Sequence, residues 1–310
     1  FSFEGHPNNT TFEHLQELAL LGFDRVSYGI QDFDEKVQQA IHRFQPFEKV
    51  KLATDNARKL GYTSVNFDLI YGLPHQTLLT LENTFQKVAE LRPERIAFYS
   101  YAHLPSAFPA QKSFEEFLPK EEEKRALYEF GKAKLLEMGY EEIGMDHFAL
   151  PNDPLCVAKK SGTLHRNFMG YTTLPSRMLL GLGASSISDV WIGFAQNEKR
   201  IEAYEEVLKE HHIALVKGHL LTEKDLLVRK LILDLICKGS ATIPFSIWEN
   251  IPAKNKQALK EFEEEGLLTL TDLQLTIHPD GLAVVRNICS NFDLRMIQTQ
   301  EKKAVFSKAI

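Results

Sequence analysis

Apolar and polar residues alternate along "FSFEG" (1–5), "RVSYGIQ" (25–31) and "SVNFDLIYG" (64–72), and this period of two predicts strands. Between them the spacing lengthens to three and four. Phe12, Leu15, Leu18 and Ala19 share a helix face that opens at the capping-box pair Thr10 and Glu13 and stops at Gly22. Val50, Ala53, Ala57 and Leu60 mark a helix over 47–60, and a polar amphipathic stretch over 34–43 precedes it. The pattern continues with a helix at 80–91, a strand at 95–105, a helix at 120–138 and a strand at 141–148. An irregular stretch, 161–175, then leads to "LLGLGASSIS" (179–188). Strands that alternate with helices of this length predict an α/β fold whose parallel sheet curls toward a barrel.

After 215 the pattern changes. A helix carries Leu227, Leu231 and Leu235 and stops at Gly239. A second helix, a hairpin turning at Thr271–Asp272 and a last helix follow. That order is winged-helix-like and divides the chain into 1–215 and a smaller helical domain, 216–310. The helix that would enter a groove sets Lys254, Lys256 and Lys260 against Glu261, Glu263, Glu264 and Glu265, a surface that repels phosphates. No nucleic-acid partner is expected.

Charge agrees with that reading, since the chain carries a formal charge of -6 and a pI near 6.0. With 44% hydrophobic and 25% charged residues it has the composition of a globular protein. No apolar run is long enough to span a membrane, so no membrane partner is expected. The three cysteines, Cys156, Cys237 and Cys289, are too far apart for a CxxC-type site and suit a reducing, cytoplasmic compartment.

Parallel βα folds carry their chemistry at the C-terminal ends of the strands. Polar residues there are Glu4, Gln31, Asp68, His103, Asp146 with His147, and Ser186 with Ser188. Glu4, Gln31 and Asp68 recur on successive strands, and a carboxylate within an apolar strand needs a partner or a ligand. In "TLHRNFMGYTT" (163–173), Arg166 has the chemistry to grip a carboxylate through two hydrogen bonds. The small residues of "GLGASSIS" let a backbone approach a ligand, or let a strand pack tightly. Asp68, Asp146, His147 and His165 would be the ligands of a metal-dependent hydrolase, a third and weaker reading.

"VNFDLIYGLPHQT", "FYSYAHLP", "GMDHFALPNDPL", "LHRNFMGYTT" and "LLGLGASSIS", in this order, resemble oxygen-independent coproporphyrinogen III dehydrogenase, a radical S-adenosylmethionine family of haem biosynthesis. The likeness extends over essentially the whole chain, with Leu150 and Met169 standing where the family often has Arg and Gln. It implies oxidative decarboxylation of two propionates of coproporphyrinogen III to vinyls, giving protoporphyrinogen IX. It also implies two S-adenosylmethionine molecules and a [4Fe-4S] cluster on CxxxCxxC, with an electron donor and a final acceptor that the sequence does not identify. The positions matching the family's S-adenosylmethionine contacts are Glu4, Gln31, Arg43, Asp68, Ala102 and Ile187. His165, Arg166 and Arg177 are candidates for gripping the substrate propionates.

"FSFEGHP" resembles the family's third barrel strand, and the cluster loop follows the first. The 310 residues are therefore expected to be a fragment without the cluster cysteines, carrying an incomplete barrel, monomeric and inactive alone. A related radical-type barrel that binds and traffics haem is the alternative.

Overall fold

The computed structural model describes residues 1–299, which pack as two units, Phe1–Lys160 and a second that begins at Ser161. The sequence reading set its division at 215/216. In the first unit β1 (Ser2–Gly5), β2 (Arg25–Gln31), β3 (Ser64–Tyr71) and β4 (Arg95–Ser100) lie parallel and in order. Helices α1 (Phe12–Leu20), α2 (Glu35–Ala40), α3 (Phe47–Lys59), α4 (Leu78–Leu91) and α5 (Glu121–Glu137) connect them, and α6 (Pro154–Lys160) ends the unit. The cap of α1 lies one residue later than the spacing predicted. Thr11 Oγ accepts from the His14 amide at 3.3 Å, while the Thr10 hydroxyl donates to the His6 carbonyl.

The single strand expected at 141–148 is a hairpin, β5 (Glu141–Gly144) and β6 (His147–Ala149), with β6 antiparallel to β4. Met145 takes a left-handed φ of 48° at the turn, between Gly144 and Asp146, so the chain reverses through a non-glycine residue. The sheet order is β1-β2-β3-β4-β6-β5.

Strand alternation sorts the sheet into two faces. Val26, Tyr28, Ile30, Val65, Phe67, Leu69, Tyr71, Ile96 and Phe98 are all buried. Each large side chain so buried contributes roughly 1.5–3 kcal/mol. Phe98 stacks near Tyr71 at 4.8 Å and Phe85 at 5.7 Å, and Tyr128 of α5 reaches Tyr71 at 5.4 Å. Gly131 lets α5 lie against this cluster, because a Cβ there would stand 2.3 Å from the Phe98 ring. Residues of the opposite parity, Ser27, Gly29, Asn66, Asp68, Arg95 and Tyr99, form a polar face.

In the second unit β7 (His165–Asn167) and β8 (Gly170–Thr172) form a hairpin. β9 (Ile187–Asp189), β10 (Gly193–Asn197) and β11 (Leu215–Leu220) form an antiparallel sheet, with α7 (Ile201–Glu210) joining the last two. Then come α8 (Glu223–Lys238), β12 (Ser240–Thr242), α9 (Phe245–Trp248), α10 (Ala253–Glu264), β13 (Leu268–Thr271), β14 (Gln274–Ile277), α11 (Val285–Ser290) and α12 (Leu294–Thr299). From α8 to β14, with sheet order β12-β14-β13, this is a winged-helix arrangement. Its hairpin turns at Asp272–Leu273, one residue later than expected, both at positive φ. Gly239 caps α8 in the left-handed region, at the predicted stop. No helix among the described residues is long and apolar enough to cross a membrane.

Candidate functional site

The polar face of the first unit gathers the candidates by strand register. Glu4 pairs with Ser27, Ser27 with Asn66, and Gly29 with Asp68, so their side chains leave the same side of the sheet. Asp68 is held from two directions. Ser27 Oγ donates to Oδ2 at 3.1 Å and Asn66 Nδ2 donates to Oδ1 at 2.9 Å. Burial pushes the Asp68 carboxyl above its usual range, and the charge of Glu4 pushes the same way. The hydrogen bonds from Asn66 and Ser27 and the positive charge of Arg43 oppose that shift.

Arg43 follows α2 and turns back over β2. Its Nη2 donates to the Gly29 carbonyl at 2.9 Å, and its Nε is buried without a hydrogen-bond partner among the described residues. Burial lowers its pKa, and the charge of Asp68 works against that. A Cβ on Gly29 would lie 2.7 Å from Gln31 Nε2 and 2.8 Å from Arg43 Nη2. Gln31 and Arg43 thus converge over the one residue of β2 that leaves room for them. Gln31 itself has a φ of 69°, and the register with β3 shifts between Gly29 and Gln31. Four of the six sequence-predicted contacts, Glu4, Gln31, Arg43 and Asp68, therefore share one face.

The remaining candidates have other settings. Ala102 follows β4, and its carbonyl accepts from Gln111 Nε2 at 3.2 Å. His103 Nε2 stands 3.3 Å from Glu115. His147 pairs in register with Ala97, with its Nε2 3.5 Å from the Tyr99 hydroxyl, while Asp146 lies in the turn before it. Ile187 begins β9 in the second unit, where a Cβ on Gly181 would stand 2.7 Å from its carbonyl oxygen. Close backbone packing thus accounts for that glycine of "GLG". Ser186 donates to the Gly183 carbonyl and Ser188 accepts from the Gly181 amide, so both serines shape the same turn.

His165, Arg166 and Arg177 lie in the second unit. His165 has its pKa lowered by burial and by the charge of Arg229, with Asp189 opposing. Arg166 lies over the Tyr171 ring at 5.7 Å and lines a 560 Å³ cleft with Phe168, Phe194 and Ile232. Its Nε is buried without a hydrogen-bond partner among the described residues. Arg177 stands over Trp191 at 5.4 Å, on a ring that Arg229 also approaches at 4.4 Å. The sequence reading did not single out Arg229 or Asp189. Arg229 stands next to Lys230 in α8, so the residue pattern did not mark it out for burial. Nor did it single out Ser27 and Asn66, which have the same strand parity as Asp68.

Two cofactors are implied, and the residues fit one of them. An unpartnered Arg43 Nε beside ionisable Asp68 and the space over Gly29 suit a small ligand that carries a carboxylate and hydroxyl or ammonium groups. The cysteines do not suit an iron–sulfur cluster. Cys156 on α6, Cys237 on α8 and Cys289 on α11 are all buried. Burial pushes their thiols to about 11, 11 and 12, away from the thiolate a metal requires. Among the described residues no group of three or more His, Cys, Asp or Glu is placed to hold a metal ion.

Comparison with known proteins places this chain in a family. Residues 2–88 match the family model of the radical SAM superfamily. The oxygen-independent coproporphyrinogen III oxidase of Synechocystis sp. is 40% identical over 100% of this chain and 68% of its own length. The enzyme of the same description from Escherichia coli is 38% identical over 100% of this chain and 69% of its own. A solved structure of coproporphyrinogen III oxidase from Escherichia coli, described as a radical SAM enzyme, superposes with a TM-score of 0.88. It covers 95% of this chain and 69% of that one, at 38% identity. The fold class read from the sequence, α/β with a parallel sheet of the radical SAM type and a helical part after it, agrees with that likeness. The chain belongs to the family of oxygen-independent coproporphyrinogen III oxidases, oxidoreductases of the radical SAM superfamily.

Proposed function

We propose that this chain supplies the S-adenosylmethionine-binding and substrate-holding part of an enzyme that converts two propionates of coproporphyrinogen III to vinyls, giving protoporphyrinogen IX. The observation that carries this reading is the convergence of Gln31 and Arg43 over Gly29, beside Asp68 and Glu4. Arg43 suits the methionyl carboxylate. Asp68 and Glu4, as acceptors, suit the ribose hydroxyls or the ammonium, and Gln31 offers an amide to either. Ala102 and Ile187 can contribute only backbone groups and apolar contact. When bound, S-adenosylmethionine supplies the group that removes hydrogen from the propionate side chain. His165, Arg166 and Arg177 are assigned to the substrate carboxylates, with Arg166 at a cleft whose apolar wall suits a pyrrolic ring.

Because the three cysteines do not fit a cluster, no electron transfer is assigned to them, and the 310 residues alone are proposed to be inactive and monomeric. Two S-adenosylmethionine molecules, a cytoplasmic setting, and a separate electron donor and acceptor belong to the same proposal. Equilibrium dialysis of labelled S-adenosylmethionine against the wild-type chain and Arg43→Ala tests the site. Binding that the substitution weakens about tenfold supports it, as loss of a charge-assisted hydrogen bond should. Equal binding by both proteins removes Arg43 from the site. Tight stoichiometric uptake of haem without S-adenosylmethionine binding would replace the enzyme reading with haem trafficking.

A further inference from the structure

The end of β2 and the turn after β3 are joined by a buried hydrogen bond that the cofactor contacts do not include. Asp32, directly after Gln31, is fully buried. Its Oδ2 accepts from Gln76 Nε2 at 2.6 Å, and its Oδ1 accepts from the Asp34 amide and the Thr84 hydroxyl, each at 2.7 Å. Gln76, also buried, accepts at Oε1 from the Gly72 amide at 2.7 Å and the Leu73 amide at 3.4 Å. Its Nε2 donates a second time, to the Ile70 carbonyl at 2.9 Å. Side-chain amides hold the backbone on either side of Gln31 as well. Gln45 Nε2 donates to the carbonyls of Gly29 and Ile30, and Gln38 Nε2 donates to that of Asp32.

Gln31 and His75, one on each side of this network, both have left-handed backbones, at φ 69° and 64°. A residue with a Cβ holds that conformation only where its surroundings over-determine it, and such residues cluster at ligand sites. Gln76 cannot reverse its amide without turning a donor toward the Gly72 amide, so its orientation is fixed. The Asp32 link therefore demands an acceptor on the Asp32 side.

We propose that Asp32, through Gln76, is a positioning residue for the cofactor site: the pair locks the left-handed Gln31 and the Gly72–Leu73 turn so that the Gln31 amide meets S-adenosylmethionine over Gly29. The inference rests on the S-adenosylmethionine reading above. Asp32→Asn is the critical substitution. Its amide oxygen can still accept from Asp34 and Thr84, which leaves its nitrogen facing Gln76 Nε2, donor against donor. Adding Gln76→Glu restores a donor–acceptor pair across the same gap and keeps the acceptor for Gly72, with loss only of the bond to Ile70.

The test measures S-adenosylmethionine affinity by equilibrium dialysis of the full chain, amide exchange at Gly72 and Leu73, and thermal unfolding. Asp32→Asn is expected to weaken binding about tenfold and to release both amides to exchange. The double variant Asp32→Asn/Gln76→Glu should recover most of the affinity. Thr84→Val removes a donor to the same carboxylate and the acceptor of the Phe33 amide but leaves the Gln76 link, so it should lower the melting temperature with much less loss of affinity than Asp32→Asn. Asp32→Asn that loses melting temperature but not affinity overturns the proposal, and so does a double variant that recovers nothing. If Asp32→Asn does not fold, Gln76→Glu alone is read in its place, and unchanged affinity there overturns the proposal equally. A wild-type chain that binds no S-adenosylmethionine overturns the site reading first, and this inference with it.

Discussion

The Asp189 carboxylate and the Arg229 guanidinium face each other through two hydrogen bonds, 3.0 and 2.5 Å long, with side chains only 7% and 16% exposed. Arg229 also donates to the Trp191 carbonyl at 3.0 Å and lies over the Trp191 and Phe194 rings. The pair ties the end of β9 to the middle of α8. Removing one partner of a buried pair leaves the other charge uncompensated, at a cost of roughly 3–5 kcal/mol. Asp189→Ala should lose about that much in urea unfolding. Asp189→Ala/Arg229→Leu should lose clearly less, because no buried charge remains. A double variant as unstable as the single would show that packing, not charge pairing, holds this junction.

Gly29→Ala separates binding from folding. The atoms its new methyl would meet, Gln31 Nε2 and Arg43 Nη2, are far ends of long side chains that can move aside. The melting temperature should therefore change little. Displacing both groups should weaken S-adenosylmethionine binding by about tenfold or more, as loss of a hydrogen bond to a charged group does. A calorimetric titration reads affinity while a thermal scan reads stability. A large drop in melting temperature with full affinity would contradict the site geometry.

The strands β2 to β4 were legible because one face of each is buried in the apolar core, so burial imposes period two on the residues themselves. The hairpin at 141–149 was not, because the left-handed turn residue is Met145 itself, and its turn-forming neighbours Gly144 and Asp146 sit within what reads as one continuous strand. Glu4, Gln31 and Asp68 stood out as polar side chains in apolar segments. Ser27 and Asn66 followed the same parity, yet hydroxyls and amides are common enough in strands to pass as ordinary. Asp32 left even less trace, since a carboxylate just past a strand reads as surface and only the fold shows it fully buried. Arg43 on a polar stretch, and Ala102 and Ile187 with no polar side chain, came from family resemblance alone.

The cysteines should be silent toward thiol reagents. Burial raises the thiols of Cys156 and Cys237 to about 11 and that of Cys289 to about 12, so each stays protonated and enclosed at pH 8. Native protein at that pH should take up almost no iodoacetamide over a period in which urea-unfolded protein reacts at all three positions. Mass spectrometry of the intact chain counts the adducts. Rapid labelling of any one cysteine in the native state would show a thiolate poised for ligation, and would reopen the question of a cluster or metal on that residue.

Asp68→Asn should trade ligand affinity for stability. Burial raises the folded-state pKa of Asp68 above the ordinary 3.8. Between those two values the folded protein holds a proton that the unfolded chain has released, so this group lowers stability as pH rises through the window. Above the folded pKa the full penalty persists, and below 3.8 it vanishes. The amide carries no such penalty and can still accept from Asn66. Relative to wild type, the variant should therefore gain stability as pH rises from 3.8 and keep the gain at pH 7. It loses an ionised acceptor for the cofactor, and S-adenosylmethionine binding should fall about tenfold. Denaturant unfolding of both proteins across pH 3 to 7, alongside dialysis at pH 7, reads the two effects on the same samples. A variant less stable than wild type at pH 7 would mean that Ser27, Asn66 and Arg43 more than offset the burial of the charge, which would make Asp68 part of the scaffold rather than a site held ready for a ligand.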